Sequence, residues 1–222
     1  MSWSVAADAA DAPAGMEAIP ADAAMVFGDR VGLAQRYAEL LAGDGAQRGV
    51  IGPHEGARIW TRHLLNCAAV ASAVPPSARV LDIGSGAGLP GIPLALARPD
   101  LSVTLLEPLA RRIAYLDHVV AALQVDQIAI VRSRAAEHAA AVGAIYDVVT
   151  ARAVTNLVTL AEWARPLLSP GGIVIALKGE RAADELVAAR PQLRRVPARV
   201  VTLTAGLHHP AQVVILGPWT TP

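Results

Sequence analysis

With a single cysteine, Cys67, in 222 residues, the chain can form neither an internal disulfide nor a Cys-based zinc site, and an unpartnered thiol suits a reducing compartment. Lysine is almost missing as well. Lys178 stands alone against 18 arginines, an imbalance that fits base-composition bias better than selection for phosphate binding. Net charge is absent, 19 basic residues balancing 19 acidic ones, which argues against strong nonspecific nucleic-acid binding while leaving room for a local basic face. No uncharged, strongly apolar run reaches the roughly 20 residues that a bilayer requires; much of the mean hydropathy of +0.41 is alanine. The opening residues are acidic where a signal peptide is basic, and they lack a compact apolar segment. The expectation is a cytoplasmic protein with no membrane partner. No internal repeat is visible.

What the chain does have is length and apolar content for one substantial core, 54% of its residues being hydrophobic. A chain of this size buries roughly 70% of the surface it exposes when unfolded. Residues 1–20 are rich in Ala, Asp and Pro and read as a mobile tail. Residues 21–76 read as an N-terminal helical cap. Val31, Leu33, Tyr37, Leu40 and Leu41 form one helical face that should end at Gly43-Asp44-Gly45, and Ile59, Trp60, His63, Leu64 and Cys67 form a second that Pro75-Pro76 stops. Residues 77–222 alternate β-like runs with helical ones. Strands are expected at 79–83, 102–106, 127–131, 146–151 and 173–178, joined by right-handed crossovers into a mostly parallel sheet covered on both faces. Two final runs, 199–204 and 212–216, flank a polar loop with His208, His209 and Pro210 and read as a hairpin that adds an antiparallel strand.

The most informative segment runs from Val80 to Gly91, a buried strand entering the turn Gly84-Ser85-Gly86-Ala87-Gly88 and then a helix. In open α/β sheets ligands sit outside the carboxyl ends of the strands, where glycines let backbone approach them closely. Glu107, twenty-three residues after Gly84, ends the second strand, where a carboxylate can accept both ribose hydroxyls of an adenosine. A nicotinamide cofactor would use a similar loop and acid. The dinucleotide fingerprint, however, needs a glycine where Leu89 stands. The observed DxGxGxG spacing suits S-adenosylmethionine (SAM), which has no pyrophosphate to seat, and the terminal hairpin points the same way.

These residues are similar to those of the ribosomal RNA small subunit methyltransferase G family. Four segments carry the resemblance: Ile59-Trp60-Thr61-Arg62-His63-Leu64-Leu65-Asn66; GSGAGLPGIP at 84–93; Ser133-Arg134-Ala135-Ala136-Glu137; and Ala151-Arg152-Ala153 together with Ala176-Leu177-Lys178-Gly179. The resemblance implies an α/β, Rossmann-like class I SAM-dependent methyltransferase with a seven-stranded sheet. It further implies methyl transfer to nitrogen-7 of a guanine in 16S ribosomal RNA, giving 7-methylguanosine. SAM contacts are implied at Gly84, Leu89, Ala135, Ala136 and Arg152; the open loop and the acid after the second strand add Gly86 and Glu107. Where the family often has Asp-Ser and a Lys-Arg pair, this chain has Glu107-Pro108 and Arg111-Arg112, which preserves charge. Asn66 and Ala136 stand where acids are common, so roles resting on those carboxylates do not carry over.

Guanine nitrogen-7 holds a free lone pair at neutral pH, so no general base is required, and alignment of the reacting atoms should supply most of the rate. Arg152, ending the fourth strand, is the foremost candidate at the reacting centre, either donating to the guanine 6-oxo group or holding the methionine carboxylate. Lys178, ending the fifth strand, is the second, toward a phosphate or flipped base. Cys67 reads as a core residue and His63 as a packing or RNA-facing one. His208 and His209 lack the partners of a metal site, and no metal is expected. Arg58, Arg62, Arg111, Arg112, Arg132 and Arg134 are candidates for phosphate contact. Zero net charge favours RNA within a small-subunit assembly over free RNA, with the protein a monomer. A methyltransferase for small molecules or proteins, an NAD-dependent oxidoreductase and a non-catalytic ribosome-assembly factor are the alternatives the residues leave open.

Overall fold

Apolar runs short enough for strands and long enough to be buried on both sides build a seven-stranded sheet in the computed structural model, which describes residues 13, 15–193, 195–204 and 210–219. The strands β1 (Arg79–Ile83), β2 (Ser102–Leu106), β3 (Ile128–Val131), β4 (Tyr146–Arg152) and β5 (Leu168–Leu177) are parallel, and β6 (Ala198–Leu203) and β7 (Ala211–Leu216) form the hairpin. Their order is β3-β2-β1-β4-β5-β7-β6. This is the class I methyltransferase architecture expected from the sequence. The antiparallel strand β7 lies inside, paired with both β5 and β6, so β6 holds the edge. Strand β5 starts earlier than the run beginning at residue 173, because the chain passes through Pro170-Gly171-Gly172 without leaving the sheet. A register shift opposite Tyr146 and Val148 absorbs that irregular stretch, and a Cβ at Gly172 would lie 2.9 Å from the Ser169 carbonyl.

Side chains alternate across a strand, so each strand feeds two cores. Val80, Leu105 and Ile175 enter one with Tyr37, Trp60, Ile92 and Tyr115; Leu81, Leu106 and Ala176 enter the other with Leu157, Leu160 and Leu186. The first core carries the helices α1 (Ala23–Phe27), α2 (Val31–Leu40), α3 (Asn66–Ala68), α4 (Gly91–Ala97) and α5 (Ala110–Leu123). On the opposite face lie α6 (Ala135–Val142), α7 (Leu157–Ala164) and α8 (Ala182–Ala189). The N-terminal helices thus share a continuous core with the sheet.

Two wide π-helical turns shape this N-terminal segment. The first, Leu41–Gly45, carries α2 through the Gly43-Asp44-Gly45 cluster where an end was expected. It fits because Gly45 packs under Tyr115, whose hydroxyl would be 2.9 Å from an added Cβ. The second, Ile59–Leu65, lies within a helical stretch over residues 55–73 and buries Ile59, Trp60, His63 and Leu64 on the expected side. Its opening N–H groups, of Trp60 and Thr61, donate to Glu17 Oε2 at 2.9 and 3.1 Å, and Trp60 meets Phe27 edge-on at 6.4 Å. No described helix is long and apolar enough to cross a membrane. His208, His209 and residues 1–12 of the expected tail lie outside the described residues.

Candidate active site at the carboxyl edge of the sheet

Strand β1 ends in a turn whose backbone only glycine adopts easily. Gly84 has φ 69°, and a Cβ there would come within 2.8 Å of Val154; Gly86 has φ 58°, with nothing nearer than 3.7 Å to its missing Cβ. The first position is closed by packing and the second is left bare. The Leu106 carbonyl accepts from the Gly84 and Ser85 N–H groups at 2.7 and 3.2 Å, which ties the turn to the end of β2. Beneath it Asp82 is fully buried, accepting from Gly91 N–H at 3.1 Å and from the Thr150 hydroxyl at 3.4 Å. Burial pushes its carboxyl up to about 7.

Glu107 is 1% exposed, and its carboxylate organises the turn. One oxygen accepts from Gly86 N–H at 3.0 Å and from Arg112 at 3.4 Å, the other from Leu109 N–H at 3.0 Å. Further along the edge, Glu137 accepts from Arg134 N–H at 3.2 Å, a capping box that fixes the start of α6 and with it Ala135 and Ala136. At the end of β4, Arg152 donates to Cys67 Sγ at 3.1 Å. The thiol is fully buried and burial pushes it up, which agrees with its reading as a core residue.

Gly84, Gly86, Glu107, Ala135, Ala136 and Arg152 line one cavity of about 780 Å³, in the size range of small-molecule sites. Along the sheet edge the lining passes from residues 133–136 beyond β3, through Glu107 after β2 and the glycine turn after β1, to residues 152–154 after β4. The N-terminal helical segment supplies a further wall with Glu55, Arg62 and His63. His63 Nε2 is 2.7 Å from Glu55 Oε2; burial first, and then the charge of Arg152, pull the imidazole down to about 4. It is therefore neutral at pH 7 and donates from Nε2 to the carboxylate.

The profile of the rRNA small subunit methyltransferase G family matches residues 30–212. The chain belongs to this family. It is 51% identical to the ribosomal RNA small subunit methyltransferase G of Thermobifida fusca, over 91% of this chain and 86% of that one, and 53% identical to that of Mycobacterium leprae over 78% and 69%. Among solved structures it resembles precorrin-6y C5,15-methyltransferase of Geobacter metallireducens (TM-score 0.53, 16% identity, 78% of this chain and 91% of that one). It also resembles M. jannaschii TYW2 in complex with AdoMet (TM-score 0.52, 15% identity, 68% and 72%). These last two likenesses concern the fold.

Within this family member, Gly84, Gly86, Leu89, Glu107, Ala135, Ala136 and Arg152 come together on the cavity, as do Arg62, Arg112 and Arg134 among the suggested phosphate contacts. Arg58, Arg111 and Arg132 are exposed and outside the lining. Lys178, expected near the chemistry, has partners of its own behind the cavity wall. Its side chain is 10% exposed and outside the lining, and its ammonium binds the Thr155 carbonyl at 2.7 Å and the Glu185 carboxylate at 2.8 Å. Two of its three donors are thus occupied, and they hold the segment after β4 that sets Val154 against Gly84.

Sequence reasoning missed Glu55, Trp163 at the cavity mouth, and Tyr37. Tyr37 donates from its buried hydroxyl to the Ala87 carbonyl at 2.9 Å, joining α2 to the glycine turn. The buried helical face was readable, whereas a partner fifty positions away was not. Tyr37→Phe should leave that carbonyl unpaired and cost about 1 kcal/mol. Thermal unfolding should show a Tm lower by about 2–4 °C.

Proposed function

We propose that this protein transfers the methyl group of SAM to nitrogen-7 of a guanine in 16S ribosomal RNA, in the cytoplasm, on RNA held in a small-subunit assembly. The observation that carries this reading is the buried Glu107 carboxylate beside the bare backbone of Gly86. A carboxylate has about four lone-pair sites; Gly86, Leu109 and Arg112 engage three, which leaves acceptor capacity for a sugar hydroxyl. The residues present fit the cofactor: Glu107 for the ribose, the Ala135-Ala136 backbone for the adenine, Gly84, Gly86 and Leu89 around the turn, and Arg152 for the methionine carboxylate or the guanine 6-oxo group. When bound, SAM supplies an electrophilic methyl that the nitrogen-7 lone pair takes, the sulfur keeping the electrons of the broken S–C bond. The chain's own part is to hold the reactants in line and exclude water. No side chain has to accept a proton from nitrogen-7. Arg62, Arg112 and Arg134 at the cavity supply cations for the RNA backbone.

Two measurements test this reading. Titration calorimetry should show SAM binding and no NAD binding, and ribosomal RNA from cells lacking the protein should lose one 7-methylguanosine. Intact methylation in those cells would refute it. Arg152→Ala should lower methyl transfer about 100-fold, within the range for removing one aligned donor. A fall in SAM affinity would assign Arg152 to the methionine carboxylate; unchanged affinity would assign it to the guanine. Near-normal turnover with intact SAM affinity would discard both roles.

A further inference from the structure

The wall that the N-terminal helical segment gives the cavity carries one carboxylate, Glu55. Glu55 Oε1 accepts from Arg58 at 2.8 Å and Oε2 from His63 Nε2 at 2.7 Å, with Arg62 Nε at 3.4 Å. The side chain remains 21% exposed and lines the cavity, and its two hydrogen bonds engage two of the carboxylate's about four lone-pair sites, Arg62 standing at ion-pair distance. His63 and Arg152 line the same cavity as Glu55. A partly exposed carboxylate, held by two hydrogen bonds and one ion pair, therefore faces the same cavity as Arg152 and the glycine turn.

A guanine whose nitrogen-7 faces a methyl donor turns its other edge away from that donor. This edge carries two hydrogen-bond donors, N1–H and the 2-amino group, and needs a pair of acceptors. A carboxylate supplies two on one rigid plane. Adenine presents a lone pair at N1 instead and would be repelled. We infer that Glu55 is the specificity residue that reads the acceptor guanine, its carboxylate accepting from N1–H and the 2-amino group; this rests on the function proposed above. The contact strengthens as the reaction proceeds. When the nitrogen-7 lone pair becomes the new N–C bond, the ring gains a positive charge, which a carboxylate at its far edge stabilises more than it stabilises the neutral base.

The test compares methyl transfer to small-subunit RNA carrying guanine or inosine at the mapped acceptor position, inosine lacking the 2-amino group. The wild-type protein should prefer guanine by about 10- to 100-fold in kcat/KM. Glu55→Gln, which keeps the shape but replaces one acceptor by a donor, should slow transfer to guanine and bring the ratio toward one, with SAM affinity as in the wild type. Glu55→Asp, which restores both acceptors, should recover part of the ratio. A wild-type ratio near one, or an unchanged ratio in Glu55→Gln, overturns the assignment while 7-methylguanosine formed by the wild type still supports the parent reading. A wild-type product without 7-methylguanosine overturns both.

Discussion

Glu107→Ala is expected to weaken SAM binding about 100-fold in titration calorimetry, the scale of one charge-assisted hydrogen bond at about 1.5–3 kcal/mol. Stability should fall by about 1–3 kcal/mol at the same time, because the Gly86 and Leu109 N–H groups lose their acceptor. Both effects come from one carboxylate. It satisfies the N–H groups of Gly86 and Leu109 and faces Arg112, so its loss unpins the turn as well as removing the acceptor for the ribose. Glu107→Gln should fall between: it keeps the volume and one acceptor, but aims an amide N–H at a backbone donor. Affinity for SAM within tenfold of the wild type in Glu107→Ala would show that the ribose is held elsewhere.

The strand rhythm and the glycine turn were legible because both are local. Val80 to Gly91 contains the strand, the turn and the helix start, so spacing alone places Gly84 and Gly86 at a strand end. Glu107 was legible for the same reason, one crossover later. Lys178 and Arg152 read alike in the sequence because both stand where a strand ends at the carboxyl edge. Their difference lies in partners that spacing cannot reveal: Thr155 and Glu185 draw the lysine behind the segment after β4, whereas Arg152 meets the soft sulfur of Cys67 and lines the cavity. Glu55 was overlooked because it lies in a short polar stretch before the apolar period begins. Its approach to His63 follows from the helical turn over residues 55–65, a turn that includes π geometry a 3.6-residue period does not describe.

Asp82→Asn is expected to change the shape of the pH–stability curve, because Asp82 and His63 titrate in opposite senses. The Asp82 carboxyl is raised from 3.8 to about 7, by burial first and with Glu107's charge adding to it. Between those values the folded chain keeps a proton that the unfolded chain has lost, so stability falls as pH rises, by about 4 kcal/mol in all. His63 is lowered from 6.5 to about 4. Between these values the unfolded chain holds the extra proton, so stability falls as pH drops, by about 3 kcal/mol. From pH 4.5 to 6.5 the two slopes nearly cancel, and the wild-type curve should be flat there before declining toward pH 8. Below that window the lowered carboxyls of Glu55 and Asp147 add to the acid loss. Asp82→Asn retains an oxygen for Gly91 N–H and an amide for the Thr150 hydroxyl, and it removes only the falling slope. Urea unfolding should then show stability rising by about 3 kcal/mol from pH 4 to 6.5, and a variant more stable than the wild type at pH 8. Curves for the two proteins that run parallel at every pH would mean that Asp82 stays ionised beneath the turn, its charge held by the donors of Gly91, Ser85 and Thr150.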